Sequence, residues 1–187
     1  MKAVLPFSSA DSIYYISRKD DRKMAESRTN MVSLIDIGSW LGGKTAKIVE
    51  MGDGFTELTE DWGPDVESTQ YVNMKAKAST LKGYEFSMSP EREYLNDDFQ
   101  KAIDNGFKTF PTGKDCETYY FRFYKSDITG GKGDCIRIPV IIAPSSTGGE
   151  GGGILTSAIQ IQGNGEVELG EVTITESGYT WAPKASE

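Results

Sequence analysis

ETYYFRFYKSDITGGKGDCIRIPVIIA, residues 117–143, decides the fold class. Glu117–Tyr124 alternates Tyr119, Phe121 and Phe123 against Tyr120, Arg122 and Tyr124, and Cys135–Ala143 sets Ile136, Ile138, Val140 and Ile142 on one side. Alternation with a period of two is the signature of extended strand. The Gly130-Gly131-Lys132-Gly133 run between them reads as a hairpin turn. Antiparallel β structure is therefore the frame into which the remaining sequence is fitted.

Working outward, Ile154–Gln162 and Glu166–Glu176 flank Gly163-Asn164-Gly165, which reads as a further hairpin turn. The apolar phase slips in the last of these runs: Val167 and Leu169 share one parity, Val172 and Ile174 the other. Gly170 stands at the slip and predicts a bulge or sharp bend. Pro144–Gly153 is rich in glycine and reads as a flexible loop. Towards the N-terminus, Ala46–Met51 and Phe55–Asp61 flank Gly52-Asp53-Gly54 and predict a long projecting hairpin. Trp62-Gly63-Pro64-Asp65 then breaks the chain, residues 66–79 are polar and extended, and Thr80–Met88 resumes a strand with Tyr84, Phe86 and Met88 on one face. One helix is well signalled over Asn96–Gly106. Asn96 is its N-cap, Asp97 and Asp98 lie in the first turn, Phe99, Ala102 and Ile103 form its apolar face, and Gly106 is a left-handed stop. These elements predict a mainly β, antiparallel two-sheet sandwich or open barrel with one flanking helix, a long projecting hairpin and terminal arms.

Composition narrows the function. The 187 residues suit one domain, residues 31–187, behind an N-terminal arm or loop region of residues 1–30. Lys and Arg number 20 against 28 Asp and Glu, a formal charge of −8. That balance argues against a reader of duplex DNA, which shows a basic face. The arm leans basic, with six basic and four acidic groups, whereas residues 31–70 carry two basic and eight acidic ones. There is no His, which removes the usual general base, His-based triads and the commonest metal ligand. Two cysteines make no disulfide scaffold and fit a reducing site of synthesis. No run approaches the roughly 18 apolar residues of a membrane helix, and Met1–Phe7 is too short an apolar start for a signal peptide.

The candidates for chemistry fall away one by one. The Pro144–Gly153 glycines precede a strand and lack the Gly-Lys-Ser/Thr of a phosphate cradle. Glu166 and Glu168 fall on one strand face, which suits a solvated or channel-facing sheet better than a facing catalytic pair. Asp53 and Asp127/Asp134 lack calcium-loop spacing, and no metal or other cofactor is implied. Cys116 and Cys135 are not opposite one another across the predicted hairpin and read as free thiols. The aromatic strand 117–124 has one cation, Arg122, and aromatic residues on both faces. It reads as a core face backed by a subunit-contact face rather than a base-stacking platform.

Three blocks carry a resemblance. Trp62-Gly63-Pro64-Asp65-Val66-Glu67-Ser68-Thr69-Gln70-Tyr71-Val72-Asn73, Tyr84-Glu85-Phe86-Ser87-Met88-Ser89-Pro90-Glu91 with the helix that follows, and the closing Gly170–Trp181 strand resemble the tail tube (major tail) proteins of long-tailed bacteriophages and their prophage relatives. The likeness covers about residues 31–181. It implies a non-enzymatic structural subunit, made in the bacterial host cytoplasm and located in the virion tail. Six copies would form a ring and rings would stack into a tube, alongside tape-measure, tail-terminator and distal-tail or baseplate proteins. Double-stranded DNA would pass through the channel without specific binding. The resemblance places the long hairpin at residues 46–79 and the arm at 1–30. It makes Asp61, Trp62, Glu67, Gln70, Tyr71, Arg18 and Arg22 candidates for ring stacking and subunit contact. An acidic lining repels phosphates, so Glu57, Glu60, Glu166 and Glu168 are candidates to face the channel. Competing readings are a carbohydrate-binding β-sandwich using Trp40, Trp62 or Trp181, the inner-tube subunit of a contractile injection system, and a hydrolase with paired carboxylates.

Overall fold

A computed structural model describes residues 26–184. In chain order the elements are β1 (Met31–Asp36), β2 (Ile48–Glu50), β3 (Pro64–Thr69), β4 (Ala78–Tyr84), β5 (Ser87–Met88), β6 (Glu91–Glu93), α1 (Asp98–Thr109), β7 (Glu117–Tyr124), β8 (Lys132–Gly148), β9 (Thr156–Gly163), β10 (Glu168–Thr175) and β11 (Gly178–Pro183). The protein is mainly β with one helix, as its alternation predicts.

The strand of 17 residues, β8, organises the fold. One edge pairs with β7 through Cys135–Ile141. The other edge pairs first with β10, through Lys132–Arg137, and then with β9, through Val140–Gly148. Since β10 also pairs with β11, β11 with β2, β2 with β1 and β1 with β7, six strands close into a barrel. Beyond it β9, with the short β5 and β6, extends the sheet as a flap. The expected two-sheet sandwich is thus realised as a closed barrel plus extra strands. Closure removes most of the free edges that a sandwich would leave.

Two cores follow from the pleat. Val32, Leu34, Phe121, Phe123, Cys135 and Val172 fill the barrel. Ile35, Tyr120, Ile138, Val140 and Ile142, from the opposite faces of the same strands, pack with Phe86, Met88, Phe99 and Ile103 beneath the helix. This is why residues 117–124 are aromatic on both sides: β7 is buried on both, and neither face is left over as a wholly free contact surface. The predicted turn after β7 forms, with Gly130 and Gly131 at φ +60° and +80° between the bridged pair Thr129 and Lys132, as a two-residue hairpin turn requires.

Several expectations are corrected. No hairpin forms about Gly52-Asp53-Gly54. Only Ile48–Glu50 is strand there, and residues 51–62 cross the sheet as a strap because Met51, Phe55, Leu58 and Trp62 turn into the second core. The projecting hairpin is β3–β4, residues 64–84, so Trp62-Gly63 stands at its root and Tyr84 is exposed while Phe86 and Met88 are buried. The helix is capped by Asp97, whose carboxylate accepts the Gln100 N–H at 2.7 Å, rather than by Asn96. It runs through Gly106 and ends on Phe110, at φ +46°. The Pro144–Gly153 loop is shortened because β8 continues to Gly148, with its irregularity between Pro144 and Ser146.

At the other end, Gly163-Asn164-Gly165 is not a hairpin turn. Both β9 and β10 run antiparallel to β8, so they continue one another across a kink where Asn164 N–H donates to the Pro139 carbonyl at 2.8 Å. Gly170 makes no bulge; its register is continuous with both neighbours. The apolar slip arises because Val167 and Leu169 face outward and remain exposed while Val172 enters the barrel. The closing segment is a hairpin, β10–β11, rather than one strand.

Candidate functional site

Among the described residues, the β3–β4 ribbon is the element that the fold leaves unpartnered. Its two strands form a separate sheet, and nearly every residue in them is exposed. An isolated two-stranded ribbon is marginal in water, so such an element calls for a partner. Its register pairs Val66 with Leu81 and Ser68 with Ser79 on one face, and Glu67 with Thr80 on the other. Val66 and Leu81 are 52% and 47% exposed, and Ser68 and Ser79 are linked hydroxyl to hydroxyl at 2.9 Å. Glu67 forms an ion pair with Lys82 at 2.7 Å. The ribbon is therefore amphipathic although no core touches it. At its tip Tyr71 and Val72 are exposed, and the Gln70 amide donates to the Met74 carbonyl at 3.1 Å. Lys75 and Lys77 add positive charge to a chain with a formal total of −8.

The root of the ribbon is built by the remaining sequence-predicted residues. Asp61 exchanges backbone hydrogen bonds with Ser87 at 2.9 and 2.8 Å, and its carboxylate accepts the Gly63 N–H at 3.0 Å. The Trp62 ring meets Phe86 edge-on at 5.0 Å. Beside this root lies a cleft of about 390 Å³ lined by Trp62, Tyr84, Phe86, Ile138, Glu166 and Val167, among others.

The four candidate lining carboxylates separate. Glu57 and Glu166 are exposed. Glu168 is held by Arg137, whose guanidinium stacks between Tyr119 and Trp181 at 4.4 and 3.8 Å from the ring centroids. The Glu60 side chain is 5% exposed and receives Tyr120, Arg122 and Trp62. That excludes it as a surface charge. The alternation of Glu166 with Glu168 also fails as a shared face, since β10 begins only at Glu168. Arg18 and Arg22 lie outside the described residues, as does most of the 1–30 arm.

Nothing in this arrangement resembles a catalytic centre. The two cysteines are free, and burial pushes the Cys135 thiol up to about 12, so it is held as an inert thiol inside the barrel. Among the described residues no group of three or more acidic or cysteine side chains is placed to hold a metal ion. Of the tryptophans, Trp40 is 2% exposed, while Trp62, packed on Phe86 and Arg122, and Trp181, under Arg137, are half-buried.

No protein-family model matches the sequence, and no curated protein matches it. Solved structures do. A chain from the virion of a native gene transfer agent particle superposes with a TM-score of 0.54 at 10% identity, over 78% of this chain and 98% of that one. A chain from the tail of the empty gene transfer agent particle, of C6 symmetry, gives 0.53 at 12% identity over 76% and 97%. The chain shares its fold with these virion and tail chains. A chain of an extracellular contractile injection system, from its sheath/tube terminator, is matched at 0.49 and 6% identity over 79% and 98%. Sequence reasoning missed the buried role of Glu60, because a Glu in a mixed-polarity run carries no signal that three donors will converge on it.

Proposed function

We propose that the chain is a structural subunit of a phage or prophage-derived tail tube, assembling as hexameric rings that stack around a channel for DNA. The observation that carries this reading is the ribbon. It is ordered, amphipathic and solvent-bathed on both faces, and thus incomplete until something covers Val66 and Leu81. A second copy supplies the natural cover: the same chain bears the apolar cleft at Tyr84 and Val167. One protruding element and one receiving surface make a heterologous contact, which generates a ring when its rotation closes. Lys75 and Lys77 at the tip steer it to the acidic body of a neighbour.

In this arrangement Val66 and Leu81 pack on the adjoining copy with Gln70 and Tyr71 beside them at the tip, Glu67 stands at the rim on the ribbon's other face, and Asp61 and Trp62 support them from the root. Glu57 remains as a charge to line the channel, where it would keep DNA from binding, whereas Glu166 lies in the receiving cleft and faces the docked ribbon. Other tail components would cap the two ends of the tube. The role is structural rather than catalytic.

The test is negative-stain microscopy of the concentrated full-length chain, with sedimentation velocity alongside. Six-fold rings or hollow tubes are expected. A chain that stays monomeric at millimolar concentration overturns the reading.

A further inference from the structure

The ribbon leaves the body through one joint, where Asp61 accepts the Gly63 N–H and Glu85 accepts the Gln162 amide, and the Glu60 carboxylate ties that joint to β7. Glu60 Oε1 accepts the Tyr120 hydroxyl at 2.6 Å, and Oε2 accepts both Arg122 Nη1 at 2.8 Å and the Trp62 indole N–H at 3.2 Å. Tyr120 and Arg122 belong to β7, the strand buried on both faces. Trp62 belongs to the root. Glu60 therefore bridges a barrel strand buried on both faces to the root of the projection.

The neighbouring contacts fix the remaining freedoms. Arg122 lies over the Trp62 ring at 5.7 Å, Phe86 packs against both Trp62 and Tyr120, and Glu85 N–H donates to the Gly63 carbonyl at 3.1 Å. Burial, with the Glu60 charge beside it, raises the Tyr120 phenol far above its ordinary value, so the hydroxyl keeps its proton and stays a donor. A buried carboxylate with three donors holds geometry more tightly than apolar contact alone, because charge-assisted bonds are short and directional.

We propose that Glu60 is a positioning residue: it sets the angle at which the β3–β4 ribbon is presented to a second copy of the chain. The proposal rests on the reading of that ribbon as the assembly element. It differs from a general stabilising role in being local. Losing the Glu60 carboxylate frees the projection while the barrel, whose strands are held by their own backbone pairing, keeps its register.

Hydrogen exchange and assembly, measured on full-length wild type, Glu60→Ala and Glu60→Gln, test this separately. In dilute, unassembled protein, the amides of Asp61, Glu85 and Ser87 are expected to exchange at least tenfold faster in Glu60→Ala, with those of β7 and β8 unchanged and Glu60→Gln in between. At matched folded fraction, the concentration at which Glu60→Ala assembles should rise at least tenfold. Uniform acceleration across the barrel, or none, overturns the proposal. So does a loosened root with unaltered assembly. If wild type itself never assembles, the tail-tube reading fails, whereas the exchange pattern still decides whether Glu60 holds the joint. Should Glu60→Ala not fold, Tyr120→Phe removes one donor, keeps the ring, and must show the same local pattern to a smaller degree.

Discussion

Gly170 lies against the indole of Trp181 so closely that a Cβ on Gly170 would stand 2.4 Å from Trp181 Cε2 and 2.4 Å from the Ala182 carbonyl oxygen. Gly170 pairs with Cys135 on one side and Pro183 on the other, so this contact sits on the seam where the barrel closes. Backbone cannot yield as a flexible side chain can, and Gly170→Ala should cost about 2–3 kcal/mol, at the upper end of overpacking penalties. Urea unfolding followed by tryptophan fluorescence measures it; a midpoint equal to wild type would mean the seam can open by an ångström without cost.

Gly106 makes the same demand from within the helix. On an exposed helix, Gly→Ala stabilises by about 1 kcal/mol. Here the added Cβ would meet Pro144 Cγ at 2.6 Å and the Trp40 ring at 3.2 Å. Gly106→Ala is expected to destabilise by about 1–2 kcal/mol despite better propensity, and thermal unfolding should show a lower midpoint. A raised midpoint would show that the helix slides outward freely.

The Arg92–Asp97 pair gives the pH dependence. Arg92 is 1% exposed and Asp97 41%, with nitrogen and oxygen 2.6 Å apart. Burial pushes the Asp97 carboxyl upward, but hydrogen bonds from Arg92 and the Gln100 N–H outweigh it and hold the group below its ordinary 3.8. A depressed carboxylate stabilises the fold fully above its unfolded-state pKa, and that contribution is lost as pH falls through the lower folded value. Asp97→Asn keeps an oxygen to cap the Gln100 N–H, removes the charge and turns the oxygen facing Arg92 Nη2 into an amide donor. It should cost about 1–2 kcal/mol at pH 7, less than a wholly buried pair because solvent screens the exposed partner. Denaturant unfolding at pH 7 and near pH 2 should show the gap between variant and wild type closing in acid. A gap of constant size would assign the loss to packing.

The β class, the Glu117–Tyr124 strand and the Ile136–Ile142 core face were legible because alternation of period two survives wherever one side of a strand is buried. The helix was legible from Phe99, Ala102 and Ile103, but its end was not. Gly106 looks like a stop and is instead a packing site for Trp40, while Phe110 takes the left-handed position that glycine usually fills. Barrel closure escaped because β8 shares one edge between β9 and β10, a non-local pairing that leaves no mark in either strand's composition. The ribbon was placed some residues early for a related reason. Residues 51–62 have mixed polarity, as a projecting hairpin does, yet their apolar members are irregularly spaced and strap a core.

The ribbon makes the sharpest prediction about assembly, because its two faces can be altered separately. Val66 and Leu81 touch neither core, so Val66→Glu with Leu81→Glu should leave the unfolding free energy of the barrel within about 0.5 kcal/mol of wild type, as exposed substitutions do, while the two carboxylates, opposite one another in register, repel within the ribbon. If that face docks on a second copy, two buried unpaired carboxylates there would abolish rings and tubes, since desolvating a charge without a partner costs far more than burying two apolar side chains returns. On the opposite face, Glu67→Ala removes only an exposed ion pair with Lys82, worth about 0–1 kcal/mol, and should weaken assembly slightly at most. Negative-stain images and sedimentation of the three proteins at one concentration separate the cases. Wild-type tubes from the double variant would show that the apolar face points to solvent in the assembly, and would move the contact to the Glu67 face or the tip.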